Sequence, residues 1–221
     1  MSVRNIVRAA TVKGPATPNS APIYVDSDDS KIKFIPGGTG TTEVTVLDSL
    51  SAAGGFSLAT VTPYSSDTIL AGSAIALPLG GPVAGARYRC QFDMTKTGAG
   101  TAAMTVIVRI GTTGTTSDTA ILTFTLGVGT AAIDTGMFEL ICHFRTVGAT
   151  TTAVLVGLLN VTHALAATGL TTTGASGVAT LGVVSSGFDS TVANSIISVS
   201  VNGGASFAGT TTIVESDLRN F

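Results

Sequence analysis

The chain has 221 residues, a formal net charge of −2, 11% charged residues, 5% aromatic residues and no Trp. That length can bury a proper core without staples. The near-neutral charge gives no general argument for nucleic acid or an acidic membrane as partner, and the scarcity of aromatics argues against a sugar-stacking or base-stacking surface. The charged share lies well under the roughly 25% usual for soluble domains. A surface so poor in charge suits a protein covered by other copies of itself or by partners.

Residues 1–22 read as an extended N-terminal arm. Pro15, Pro18 and Pro22 lie close together, and prolines at that density exclude a helix. The arm is basic: Arg4, Arg8 and Lys13 fall here, and Lys31 and Lys33 follow shortly after. Residues 23–47 read as a small β-hairpin unit. Ile23–Val25 and Lys31–Ile35 flank an Asp/Ser cluster, a turn signal because those side chains bond their own backbone. The cluster is not a calcium loop: counted from Asp26, the glycine position holds Lys31 and the bidentate glutamate position holds Gly37. Glu43–Leu47 is a further short strand, and a unit this small is marginal alone. Residues 48–62 are small and polar and read as a linker.

Residues 63–221 read as the main domain. Short runs rich in β-branched and aromatic residues (Arg87–Met94, Met104–Ile110, Ala120–Leu126, Met137–Thr146, Ala153–Val161) alternate with Gly, Thr, Ser and Asp turns. Val178–Val184, Ser195–Val201 and Phe207–Val214 supply the last strands, and Glu215–Phe221 reads as a polar tail. In Arg87–Met94, Tyr88, Cys90, Phe92 and Met94 share one face, with Arg87, Arg89, Gln91 and Asp93 on the other. Phe138, Leu140, Cys142 and Phe144 point inward in the same way, opposite Glu139, Ile141, His143 and Arg145. Ala153–Val161 is apolar on both faces, as expected either of the central strand of a sandwich under an extra layer or of a strand at a subunit interface. In the latter case Leu155, Leu159 and nearby His163 are candidate interface residues. The expected fold is all-β, a jelly-roll β-sandwich of about eight strands preceded by the arm and the hairpin unit.

The chemistry-bearing residues do not converge. Cys90 and Cys142 each sit in an apolar alternation and read as small core residues. Two His and two Cys without close spacing make no zinc site. G-x-S-x-G, H-E-x-x-H, a phosphate-binding loop and a placed carboxylate pair are all missing. No catalytic, metal or cofactor residue is therefore assigned, and the chain is expected not to be an enzyme. No apolar run approaches the ~18 residues of a membrane span. The N-terminus lacks the roughly 7–15-residue apolar stretch of a signal peptide, so synthesis in a cytoplasm is expected.

Three stretches carry a resemblance. YRCQFDMTKTGAGTAAMTVIVRIGTTGTTSDTAILTFTLGVGTAAIDTGMFELICHFRTVG resembles a β-sandwich domain common in structural proteins of tailed bacteriophages, and GFDSTVANSIISVSVNGGASFAGTTTIVESDL resembles the end of the same domain. IYVDSDDSKIKFIPGGTGTTEVTVLD is similar to β segments that open phage head-decoration and fibre proteins. The resemblance implies a homotrimer of jelly-roll subunits in a virion and supplies no catalytic residue. It makes a capsid decoration (cement) protein the first expectation. The major capsid protein would be the partner, gripped through Arg4, Arg8, Lys13, Tyr24, Lys31, Lys33 and Phe34. A head or tail fibre is the alternative, with Thr112–Ser117 and Thr171–Gly177 as recognition loops. A carbohydrate-binding or hydrolytic jelly roll is the third.

Overall fold

The computed structural model describes residues 8–9, 23–26, 32–34, 44–47, 53–166, 168–172 and 177–220. The chain divides into two units, Met1–Ala52 and Ala53–Phe221. In the first, β1 (Arg8–Ala9), β2 (Ile23–Asp26), β3 (Ile32–Phe34) and β4 (Val44–Leu47) form one sheet in chain order. β2 and β3 are antiparallel, with Ile23 opposite Phe34 and Val25 opposite Ile32, as the Asp/Ser turn signal predicts. β3 pairs antiparallel with β4, and β1 joins β2 in parallel.

The second unit is an antiparallel β-sandwich, and its described residues contain no helix. Its strands are β5 (Ala53–Ser57), β6 (Thr68–Ile69), β7 (Ile75–Ala76), β8 (Arg87–Lys96), β9 (Ala103–Gly111), β10 (Thr119–Val128), β11 (Asp134–Thr146), β12 (Val154–His163), β13 (Val178–Val184), β14 (Ile196–Asn202), β15 (Gly209–Thr210) and β16 (Val214–Arg219). The seven-stranded sheet runs β13-β12-β11-β8-β16-β5, with β15 on β8. The five-stranded sheet runs β10-β9-β14-β6, with β7 on β14.

Eight of these strands are nested. β9 pairs with β10, β8 with β11, β6 with β14, and β5 with β16, all antiparallel. Successive pairs fall in alternate sheets, which is what winding one long antiparallel ribbon into two layers produces. β12 and β13 follow β11 as a meander and widen the seven-stranded sheet.

Strict alternation builds the core. Tyr88, Cys90, Phe92 and Met94 of β8 and Phe138, Leu140, Cys142 and Phe144 of β11 are all buried, as their patterns predict. Phe92 and Phe138 are register partners, stacked with centroids 4.7 Å apart. Val106 and Val108 of β9, Phe124 of β10 and Val199 of β14 meet them from the other sheet. Gly157 on β12 marks how closely the layers approach: a Cβ there would lie 2.6 Å from Leu122 and 2.7 Å from Phe124. Each side chain of this size taken out of water contributes about 1.5–3 kcal/mol.

Two sequence boundaries are corrected. Residues 53–57, read as linker, form β5, which pairs with β16 along its whole length. Its composition (Ala-Gly-Gly-Phe-Ser) hides the strand because small residues are needed for contact: a Cβ on Gly55 would sit 2.1 Å from the Gly72 carbonyl oxygen. The sandwich therefore starts at Ala53 rather than Pro63. At the other end, Phe207–Val214 is not one strand and Glu215–Phe221 is not a tail. The Asp93 carboxylate accepts hydrogen bonds from Thr212 N (2.8 Å), Ile213 N (2.7 Å) and Thr212 Oγ1 (2.6 Å). Those donors leave the ladder, and β16 resumes at Val214 between β8 and β5. There Val214, Ser216 and Leu218 face inward, and Glu215 and Arg219 are exposed.

Candidate functional site

The outer face of the seven-stranded sheet is where the sandwich collects its reactive surface. Register partners share a face, so the rows can be followed across strands. One row runs Val184, Val156, His143, Arg87, Arg219. The next runs Gly182, Leu158, Ile141, Arg89, Asp217. Within these two rows the half on β12 and β13 is apolar, with Leu158 39% and Val184 52% exposed. The half on β8 and β16 is charged. Arg89 donates through Nε (3.0 Å) and Nη2 (2.7 Å) to Glu139 Oε1, which also accepts from Gln91 at 3.3 Å. Asp217 lies between Arg87 (3.7 Å) and Arg219 (3.4 Å). Of the six Lys and Arg in residues 53–221, four (Arg87, Arg89, Arg145 and Arg219) are on this face. The other two, Lys96 and Arg109, are buried.

The proposed interface residues do not belong to this face. Leu155 and Leu159 are fully buried in the core, and His163 is 6% exposed. The face open to a partner is the one with Val154, Val156 and Leu158. Asn160 and Thr162 carried the signal: they share parity with those three, so the polar pair fixes which side is wet. Among the residues assigned to capsid contact, Arg4, Lys13 and Lys31 lie outside the described residues. Arg8 is on β1, Tyr24 on β2, and Lys33 and Phe34 on β3, with Tyr24 opposite Lys33.

His163 instead closes one end of the core with two residues far from it in sequence. Its Nδ1 is 2.7 Å from Asp134 Oδ2, and both side chains are sealed from solvent. Asp134 also accepts from the backbone N of Thr135 (2.9 Å), Leu165 (3.2 Å) and Leu170 (2.9 Å). A carboxylate so supplied acts as an acceptor, so Nδ1 carries the proton, and the buried Nε2 has no partner. Gly169 is glycine for two reasons: its φ is +80°, and a Cβ would lie 2.3 Å from Asp134 Oδ2. Lys96, the register partner of Asp134, donates to the carbonyls of Gly98 (2.8 Å) and Thr130. Burial lowers the pKa of its ammonium, against the opposing pull of the Asp134 charge. Lys96 and Asp134 hold loop carbonyls and amides in place, and His163 packs against Asp134.

The remaining features are structural or shallow. Burial pushes the Cys90 thiol up to about 12 and raises that of Cys142 too, so both are inert core residues. No group of three or more His, Cys, Asp or Glu among the described residues could hold a metal ion. A depression of about 240 Å³ has apolar walls from Ile110, Ile121, Phe188 and Val192. Asp189 at its edge is already bonded to Thr191 N (2.8 Å) and Oγ1 (2.7 Å). In the 112–117 loop the hydroxyls of Thr113, Thr115 and Ser117 bond one another. Of 171–177, residues 173–176 lie outside the described residues.

No protein-family model matches the chain, and no curated protein matches it. Among solved structures, one match is a chain of "Structure of infectious bursal disease virus Gx strain". It is 13% identical, with 92% of this chain and 50% of that chain covered and a TM-score of 0.19. The chain thus spans half the length of that viral chain.

Proposed function

We propose that this chain is a structural component of a tailed-phage particle: a capsid decoration protein on a jelly-roll subunit that acts as a homotrimer on the shell exterior. The observation that carries the reading is the nested strand order. Four antiparallel pairs wound alternately into two sheets, with the β12–β13 meander added, support the jelly-roll reading. Jelly rolls also serve lectins and other proteins, so the site must decide among them. Here the outer sheet face offers a broad, half-apolar, half-charged surface for a macromolecular partner, and the ionisable cluster in the core is sealed. In this reading the basic first unit grips the shell, and several weak grips act together by avidity.

The test is copy number per virion, measured by quantitative mass spectrometry against the major capsid protein. Hundreds of copies in a simple ratio to the shell are expected. A handful would move the protein to a fibre or tail, and absence from the particle would remove the reading. Deleting residues 1–47 should abolish capsid binding while leaving the sandwich folded, as read by circular dichroism and co-sedimentation. Undiminished binding would take the anchor away from the first unit.

A further inference from the structure

The sandwich has four sheet edges, and three of them are blunted. β5 is five residues long, and β6 and β7 are two residues each. β10 is longer but has two register shifts, and Thr172 N bonds the Val128 carbonyl at its end. Short strands, bulges and covering loops are the usual protections against pairing with another chain. Among the described residues β13 has none of them. Its register with β12 is unbroken from Val178 to Val184, and it contains no Pro. Residues 164–188 contain no charged residue at all.

The ladder fixes which groups are free. His163 N donates to the Gly177 carbonyl at 2.8 Å, and Ser185 N to the Leu155 carbonyl at 2.9 Å. Odd-numbered residues of β13 therefore bond β12. The N–H and C=O groups of Val178, Thr180, Gly182 and Val184 point away from it. Among the described residues no strand pairs with them. Val178 is 49% and Val184 52% exposed.

We infer that two copies of this chain join edge to edge along β13, antiparallel about Leu181. Val178 of each copy then faces Val184 of the other, and Thr180 faces Gly182. The second copy is the occupant because the strand is complementary to itself. This one register pairs every outward N–H and C=O, sets valine against valine and threonine against glycine, and brings no charge to the seam. The apolar strip of Val156 and Leu158 continues the contact onto the outer face. The contact is two-fold, so in a trimeric assembly it would join one trimer to the next. It needs a second copy and not a shell, and so stands apart from the virion reading.

The full-length chain tests it. Across the two-fold, Leu181 opposes itself in a non-hydrogen-bonded pair, where Cα atoms lie about 4.5 Å apart, within disulfide range. Leu181→Cys should form a covalent dimer under mild oxidation, and Thr180→Cys, which faces Gly182, should do so far less. The native thiols are buried and will not compete. Gly182→Lys tests the same seam without disturbing the fold, because a Cβ there meets nothing within 4 Å. Its association, measured by sedimentation equilibrium, should weaken about tenfold or more through like charges at the seam. Folded Leu181→Cys that stays uncrosslinked, or unchanged association of Gly182→Lys, would overturn the inference. A trimer by mass with neither effect would overturn this contact and leave the trimer standing. A wild-type monomer would remove both, while virion copy number is read independently.

Discussion

Arg89 and Arg109 both point outward from a sheet and both bond a carboxylate, yet they do different work. Arg89, on the seven-stranded sheet, is 36% exposed, and its two hydrogen bonds fall on a single oxygen of Glu139. Arg109, on the five-stranded sheet, has a side chain 10% exposed and three separate acceptors: Ser200 Oγ at 3.0 Å, the Asp118 carbonyl at 2.7 Å, and Asp67 Oδ2. It ties β9, β14, the strand of Ser200, to the loop before β10 and to the segment before β6. The face around it carries Thr105, Thr123, Thr125 and Ser198, with no other cation. In a chain this poor in charge, one face uses its arginine as an internal brace and the other presents arginines to whatever covers it.

The comparison breaks most sharply at Arg109. Arg109→Ala strands the part-buried Asp67, whose Oδ1 already lacks a partner, and should cost about 1.5–3 kcal/mol in urea unfolding. Replacing both members, Arg109→Met with Asp67→Leu, should restore much of that, because an apolar pair of similar volume leaves no uncompensated charge. If the double variant is as unstable as the single one, the brace acts through Ser200 and the Asp118 carbonyl instead.

Asp118 sharpens the comparison through pH. Burial raises its pKa, but hydrogen bonds from Thr113 Oγ1 (2.6 Å), Thr113 N (3.2 Å) and Gly114 N (2.7 Å) outweigh burial and hold the carboxyl below its ordinary value. A depressed folded pKa stabilises the protein above the unfolded pKa of 3.8, and that contribution is lost as pH falls through the lower folded value. Asp118→Asn should destabilise by about 1–3 kcal/mol at neutral pH, because one oxygen facing Gly114 N becomes a donor. It should also flatten the fall in stability below pH 3.8. Unfolding curves between pH 2 and 7 check both. An unchanged acid limb would mean that other carboxylates set it.

Legibility in the sequence followed solvent contact. β8 and β11 alternate between wet and dry faces, so their inward residues could be read directly. β12 could not be phased by hydrophobicity, since Val156 and Leu158 are as apolar as Leu155 and Leu159. Only Asn160 and Thr162 distinguish the two sides. β5 was hidden because its glycines serve close approach, and β16 because its outward residues, Glu215, Asp217 and Arg219, make it read as a tail. Lys96, Asp134 and His163 gave no signal at all: they meet through strand pairing and loop closure, which no local spacing encodes. Arg109 was equally silent, since its burial depends on the segment around Asp67 lying over β14.

Arg89→Ala is the smallest effect and the most informative about assembly. An exposed pair of this geometry is worth about 0–1 kcal/mol, reduced by added salt. A double-mutant cycle with Glu139→Ala on isolated protein should give a coupling in that range, fading as salt rises. Gln91 keeps its bond to Glu139 in the single variant, which lowers the expected loss further. A coupling as large as that of the buried Arg109 brace would mean that the outer face of the seven-stranded sheet is out of water in solution. The cover would then be another copy of the chain seated on this face by a contact other than the β13 seam, and the coupling should fall to the exposed value once dilution separates the copies. Should it stay high in the separated protein, the two faces would be equivalent braces, and the division between them drawn above would be lost.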